Sequence, residues 1–418
     1  MLRELQPLVG TPGAYGFAVL LGLLWGSFAN VCIYRWPQGK SVVTPPSHCG
    51  SCKTPIRWYD NLPLVSWLLL RGKCRACGAR FSGRYLIVEL LTGLLFGVAW
   101  WFALGGGARA EAFDHQLLRF AIYAAFCFVM VVVTFIDLDH KLILDRLTLP
   151  AIPLFYALPF LLPERHWTEG LVGAAIGYGL PWTIGEVYWL VTGREGLGLG
   201  DSKLLAVIGA LLGARGVVAA LFGGAVLGAV IGIVVLMRGE GGSKKGAAFA
   251  VISVAAVGAA VYGALTDRVL VGVVGSVTAL ASLVIARRLE PPPEEPATPA
   301  AEPGPEEPEA PAGKELLART LALVAGVLVL AAVTFELLGA HAMAAGGGLL
   351  GVGLLLLAKR LVPVVEETTD VPDEEPARDV PSLMRTELPF GPFLALAALV
   401  YLFAEPWILV NFRLPGAL

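Results

Sequence analysis

The chain has 418 residues, of which 56% are hydrophobic and only 15% are charged. A mean hydropathy of +0.72 excludes an ordinary soluble domain and predicts a polytopic membrane protein. The formal net charge of −2 does not by itself indicate any class of partner.

Predicted membrane spans run along most of the chain. The first, residues 14–34, is uncharged and long enough to cross a hydrocarbon core of about 30 Å, and we expect it to be retained rather than removed as a signal peptide. The others are residues 85–104, 117–136, 147–162, 170–192, 203–213, 216–237, 247–265, 269–286, 316–338, 343–362 and 388–411. These runs predict an all-α protein of about twelve transmembrane helices, in which the short run 203–213 could be tilted or re-entrant.

A basic loop, residues 36–84, separates the first two predicted spans. Its basic residues include Lys40, Lys53, Arg57, Arg71, Lys73, Arg75, Arg80 and Arg84. The positive-inside rule places this loop in the cytoplasm and already accounts for its charge, so we predict no nucleic-acid partner. Following the alternation of the spans from this loop brings Asp137 and Asp201 to the same cytoplasmic side.

Four cysteines in this loop form two CxxC pairs, Cys49 with Cys52 and Cys74 with Cys77. Each pair presents two sulfurs to one ion, and four thiolates complete the tetrahedron of a structural zinc site. The alternative is two disulfides or free thiols, and a reducing cytoplasmic location disfavours disulfides. The loop is therefore predicted to be a small zinc-binding module.

Asp137 and Asp201 each lie at the end of a long apolar run. A charged carboxyl costs roughly 2.5–3.5 kcal/mol at the bilayer centre and less near the interface, so two of them need a reason. Two aspartates that share one proton could hydrolyse a peptide, because one takes a proton from water while the other protonates the leaving amine. The alternative is that Asp201 caps a helix starting at Ser202, while Asp137 and Asp139 lie in a solvated loop.

The residues around Asp201 predict a substrate-approach loop. Gly196, Gly198 and Gly200 remove side chains beside the carboxyl, so that an extended substrate backbone could come close. Lys203 completes this predicted loop.

Five motifs, taken in order, resemble type IV prepilin peptidases. The GSFxNV…RxP opening is matched by Trp25-Gly26-Ser27-Phe28-Ala29-Asn30-Val31 and Arg35-Trp36-Pro37, and the four-cysteine loop follows it. The later motifs are matched by Arg84-Tyr85-Leu86-Ile87-Val88-Glu89, Phe135-Ile136-Asp137, Gly196-Leu197-Gly198-Leu199-Gly200-Asp201-Ser202-Lys203-Leu204-Leu205 and Leu388-Pro389-Phe390-Gly391-Pro392-Phe393.

The resemblance implies an aspartic endopeptidase that removes the leader of prepilins or pseudopilins. It would act at the cytoplasmic face of the bacterial inner membrane, with Asp137 and Asp201 as catalytic residues and Asp139 in reserve. Many members also transfer a methyl group from S-adenosylmethionine to the new N-terminus. No glycine-rich nucleotide loop is visible, so this cofactor rests on the resemblance alone, and Glu89 could orient the site or bind the methyl donor. One departure is Leu144, which stands where the family usually has proline before Asp145.

The resemblance divides the chain into five parts. These are the first helix (1–35), the zinc loop (36–84), the protease core (85–238), an insertion (239–384) and the final helix (385–418). The insertion is expected to hold four membrane helices and two acidic, proline-rich linkers, 290–313 and 363–381.

The sequence is also compatible with two other functions. An ion-coupled transporter would use the membrane acids to bind cations and the cysteine loop as a metal sensor. A lipid-transfer enzyme would bind a metal through Asp137, Asp139 and Asp145, although Asp201 would then have no role. Pilus or secretion assembly proteins are possible partners of a peptidase, and the sequence does not decide between these two machines.

Overall fold

The computed structural model describes residues 6–105, 112–162, 166–192, 198–238, 312–337, 341–361 and 389–412. The predicted spans 247–265 and 269–286 lie outside these residues. The same holds for linker 363–381, for most of linker 290–313 and for Gly196.

The described part of the chain is mostly helical, with an irregular loop at residues 36–83, and its only β-type pairing consists of isolated bridges. The helices are α1 (Pro12–Arg35), α2 (Val65–Leu69), α3 (Arg84–Trp100), α4 (Phe113–His140), α5 (Asp145–Ala157), α6 (Trp167–Thr192), α7 (Leu199–Arg238), α8 (Ala312–Leu337), α9 (His341–Leu361) and α10 (Gly391–Phe412). A short π-helical segment, Trp101–Gly105, continues α3.

Four segments among the described residues are long and apolar enough to cross a membrane. They are Pro12–Arg35, Arg84–Gly105, Phe113–His140 and Leu199–Ile231. The total of about twelve spans remains a prediction. The separate runs predicted at 203–213 and 216–237 agree with the structure, because α7 consists of two helical stretches that meet at a kink at Gly213. Gly213 has a φ of 69°, a conformation that glycine adopts without steric cost.

Close packing of α1 on α3 depends on small residues. A Cβ atom added to Gly22 would lie 2.7 Å from Cβ of Phe96, and one added to Gly26 would lie 2.6 Å from Cα of Glu89. Only glycine at these positions lets the two backbones approach so closely. The packing brings Glu89 on α3 directly beside α1.

The chain forms two compact units. The first comprises residues 1–181, 198–224 and 389–405, and the second comprises residues 182–197, 225–388 and 406–418. The predicted catalytic and cysteine residues all lie in the first unit.

In the second unit, α8 and α9 pack against the end of α6. Leu190 of α6 is buried in a cluster with Ala322, Ala325, Leu355 and Ala358. Beside this cluster, Lys359 Nζ lies 2.7 Å from Glu186 Oε1, and the Glu186 side chain is 18% exposed. Lys359, in the predicted insertion, therefore forms an ion pair with Glu186 of α6.

Candidate active site

Asp137 lies in the last turn of α4. The helix ends directly after His140, because Lys141 adopts the left-handed conformation and donates its N–H to the Asp137 carbonyl at 2.8 Å. The Asp137 side chain is buried, with 5% of its surface exposed. The alternative that Asp137 and Asp139 lie in a solvated loop is therefore wrong, since both belong to the helix.

The Asp137 carboxylate is held from the start of α10. The Gly391 N–H donates to Asp137 Oδ2 at 3.0 Å, in a buried position. Asp139, two residues further along α4, is exposed and forms an ion pair with Arg84. Arg84 also donates to the Phe135 carbonyl at 2.8 Å, so it links the start of α3 to the end of α4.

Asp201 lies in the first turn of α7 and is partly buried. The alternative in which Asp201 caps a helix starting at Ser202 is wrong, because the helix already begins at Leu199. The predicted substrate-approach loop also needs correction. Gly200 and Lys203 are helical, since the chain enters α7 immediately after Gly198.

Apart from its chain neighbours, Asp201 Oδ2 is the one atom of the described residues that a Cβ atom at Gly198 would meet within 4 Å. A Cβ atom added to Gly198 would lie 3.7 Å from Asp201 Oδ2, which is an ordinary contact. Lys203 Nζ lies 2.5 Å from Asp145 Oδ1, so it ties α7 to the first residue of α5. Asp145 is the first residue of α5, a position where an acidic side chain is favourable.

The structure brings Asp137 and Asp201 into electrostatic range of each other. The two carboxyls lie close enough for their like charges to interact, and both residues belong to the first compact unit. Ile143, between α4 and α5, packs beside the starts of α7 and α10. It would lie 3.0 Å from a Cβ added to Gly200 and 3.3 Å from one added to Gly391. Two carboxyls in one partly buried site can share a proton and act as an acid and a base.

The four loop cysteines converge on one point. Their sulfur atoms all lie within 4.8 Å of one another, with Cys49 Sγ 3.8 Å from Cys77 Sγ and Cys52 Sγ 4.0 Å from Cys74 Sγ. Tetrahedral coordination with Zn–S bonds of about 2.3 Å places sulfurs about 3.8 Å apart. The donor set therefore fits a four-thiolate zinc site.

The two CxxC pairs have the same backbone geometry. Lys53 donates its N–H to the Cys49 carbonyl at 3.0 Å, and Gly78 donates to the Cys74 carbonyl at 2.9 Å. Both donors have positive φ angles, of 58° and 71°. The backbone N–H groups of Cys52 and Ser51 lower the pKa of Cys49.

The pKa of Cys52 is lowered to about 6, first by the Thr54 hydroxyl and then by the Thr54 backbone N–H. The pKa of Cys77 is instead raised to about 11, because the Ala79 backbone N–H lowers it less than the hydrogen bonds with the other three cysteines and burial together raise it. Thiolates are the form that binds zinc.

A cavity of about 480 Å³ lies between α1, the cysteine loop and the start of α3. Its walls include Ser27, Asn30, Trp67, Tyr85 and Glu89. Glu89 is 9% exposed and accepts the Leu64 N–H at 2.8 Å. The buried indole N–H of Trp67 makes no hydrogen bond to any group in the described part of the chain. The size and mixed lining suit a small organic ligand.

Sequence reasoning missed two residues of the aspartate site. Gly391 lies in the Leu388–Phe393 motif, which was assigned only as the start of the final helix, and its glycine was the available signal for a close backbone approach. Ile143 carries no chemical signal, because an isoleucine between two helices is indistinguishable from an ordinary packing residue.

Comparison with known proteins gives two matching family models. The Bacterial Peptidase A24 N-terminal domain matches residues 20–103, and the Type IV leader peptidase family matches residues 124–233. No solved structure matches the chain.

Several curated proteins named "Prepilin leader peptidase/N-methyltransferase" are similar to the chain. The Myxococcus xanthus protein is 39% identical over 231 residues, which cover 54% of this chain and 66% of the relative. The Neisseria gonorrhoeae protein is 38% identical over 256 residues, covering 54% and 83%. The Dichelobacter nodosus protein is 34% identical over 262 residues, covering 56% and 87%.

Proposed function

The chain belongs to the prepilin leader peptidase/N-methyltransferase family, and from this we propose that it is an aspartic endopeptidase of the bacterial inner membrane. Its substrates would be type IV prepilins or pseudopilins, and it would also methylate the new N-terminus. The observation that supports the peptidase activity is the placement of the buried Asp137 and of Asp201 in one compact unit, with Ile143 packed beside both Gly200 and Gly391.

Asp137 and Asp201 are the proposed catalytic residues. One carboxylate would accept a proton from the attacking water, and the other would donate a proton to the leaving amine. The lack of a side chain at Gly198, beside Asp201 Oδ2, supports an approach of the substrate backbone there. Burial of the site removes competing water and strengthens the interaction of each carboxyl with the reacting atoms.

The site is proposed to face the cytoplasm, together with the cysteine loop. The support is the excess of lysine and arginine in residues 36–84, which favours retention of this loop on the cytoplasmic side. The Arg84 contacts with Asp139 and Phe135 connect this loop's end to the helix end that carries Asp137.

Zinc is proposed to hold the cysteine loop together. All four coordination positions of a tetrahedral zinc ion would be filled by the thiolates of Cys49, Cys52, Cys74 and Cys77. No position would be left for a substrate or water, so the metal would have a structural role. The folded loop forms one wall of the 480 Å³ cavity, and the start of α3 with Glu89 forms another.

We propose that this cavity holds S-adenosylmethionine, which when bound supplies an electrophilic methyl group. Its volume lies within the usual range for ligand sites, about 300–1,000 Å³. The Glu89 carboxylate could face the cationic part of the ligand, and Tyr85 or Trp67 could contact its aromatic base.

Glu89→Gln is expected to weaken S-adenosylmethionine binding by about tenfold, because it removes the negative charge at nearly constant volume. Cleavage should fall by less than about twofold if Glu89 serves the methyl donor alone. Binding to the purified protein, measured with radiolabelled S-adenosylmethionine, reports the first effect, and a cleavage assay reports the second. Unchanged binding together with impaired cleavage would assign Glu89 to the peptidase site instead.

Mass spectrometry of a co-expressed pilin tests the whole proposal. We expect a substrate that has lost its leader and gained one methyl group at the new N-terminus. An unprocessed substrate, combined with proton- or metal-dependent flux when the protein is placed in liposomes, would instead support the ion-coupled transporter.

A further inference from the structure

The start of α10 contacts a carboxyl that is remote in sequence. Gly391 and Asp137 are 254 positions apart, and their N–H···O hydrogen bond is 3.0 Å long and buried. Gly391 is the first residue of α10, so its N–H has no acceptor within its own helix. The Asp137 carboxylate therefore satisfies a backbone donor that would otherwise be buried without a partner.

A side chain at position 391 would push the Asp137 carboxylate away from the Gly391 N–H. A Cβ atom at position 391 would lie 2.5 Å from Asp137 Oδ2 and 3.2 Å from Asp137 Cγ, far inside normal contact distance. Gly391 is not among the glycines with positive φ, so the close approach is what requires it. On the other side of the added Cβ atom, Ile143 Cδ1 would lie 3.3 Å away, so the Cβ atom could not move far from the carboxylate.

We propose that Gly391 is a positioning residue for the peptidase reaction, acting through Asp137. The Gly391 N–H holds Oδ2 of the Asp137 carboxylate in place. The other oxygen, Oδ1, is then free to form a hydrogen bond with the attacking water. The inference rests on the proposed peptidase activity. It adds that the two aspartates are not equivalent, since Asp137 accepts a hydrogen bond from the start of α10, whereas Asp201 lies beside Gly198.

The α7–α10 interface offers a matched control for this proposal. A Cβ atom at Gly223 would lie 2.9 Å from Ala397 Cβ, so Gly223→Ala also crowds α10. Its nearest neighbours do not include either aspartate. The two variants therefore strain the same helix, but only Gly391→Ala displaces the Asp137 carboxylate.

Gly391→Ala is expected to lower kcat by about 100-fold, since displacing a reacting group by about 1 Å has that effect. KM should change by less than about twofold, because substrate binding does not depend on the Asp137 oxygen. Gly223→Ala is expected to lower the thermal midpoint while kcat stays within about threefold of wild type. An equal loss of kcat in both variants, or a normal kcat in Gly391→Ala, would overturn the proposal.

A double-mutant cycle tests the contact without relying on activity. Gly391→Ala should lower the thermal midpoint in the wild-type background but not in an Asp137→Ala background, where the clashing oxygen is gone. Additive losses would show that the two residues do not interact and would overturn the proposal. If the protein were not a peptidase, the cycle would still show this coupling while the kinetic comparison gave no signal, so the two failures are distinguishable.

Discussion

Replacing either Asp137 or Asp201 by asparagine is expected to abolish prepilin cleavage, lowering the rate by at least about 100- to 10,000-fold. Asparagine keeps the volume of the buried side chain but can neither accept nor donate the proton that peptide hydrolysis requires. The purified variants can be compared with wild type by following leader removal from a synthetic or co-expressed substrate. Their thermal midpoints should show that both remain folded.

Asp139→Asn is the matched control for this experiment. Asp139 lies on the same helix two positions from Asp137, but it is exposed and paired with Arg84. We expect Asp139→Asn to retain most of the cleavage activity, since exposed ion pairs contribute little to stability. Loss of cleavage in Asp139→Asn with normal cleavage in Asp137→Asn would transfer the catalytic role to Asp139. Normal cleavage in both Asp137→Asn and Asp201→Asn would end the peptidase mechanism.

The combined change Cys49→Ser and Cys52→Ser is expected to eliminate zinc binding and to unfold the cysteine loop. Structural zinc contributes an apparent binding free energy of about 10–16 kcal/mol in zinc-finger peptides, which is enough to decide whether such a small module folds. Metal analysis of the purified protein should give one zinc ion per wild-type chain and none in the variant. Cys127→Ala, which changes a buried cysteine inside α4, should leave the zinc content unchanged.

The consequences of losing zinc distinguish two roles for the loop. If the loop forms a wall of the methyl-donor cavity, the double cysteine variant should lose methylation more readily than cleavage. An equal loss of both activities would mean that the loop stabilises the whole protein. A wild-type protein that carries no zinc after purification under reducing conditions, and that is fully active, would contradict the proposed metal site.

The sequence predicted the described helices well because long apolar runs are a strong signal. Residues 14–34, 85–104 and 117–136 all lie within helices that the structure contains. Helix ends were harder to predict. Asp139 and Asp201 were each placed in alternatives outside a helix, yet α4 continues to His140 and α7 begins at Leu199. Charged residues are common in both helix ends and loops, so composition could not decide between them.

Local sequence patterns predict few of the contacts between distant parts of the chain. The CxxC spacing predicted that the four cysteine sulfurs meet, because zinc sites have a recognisable spacing. Nothing comparable links Gly391 to Asp137, since a backbone N–H has no sequence signature. The cavity beside Glu89 depends on how the cysteine loop folds over α1, which periodicity does not encode.

The packing of α8 and α9 on α6 affects how a minimal form of this enzyme could be made. The matched family regions end at residue 233, which invites excision of residues 239–384 to obtain a chain of ordinary family size. That deletion would uncover Leu190 and leave Glu186 without its lysine in an apolar setting. A shortened version would therefore need different residues at positions 186 and 190, because the side chains of α6 at these positions pack against α8 and α9.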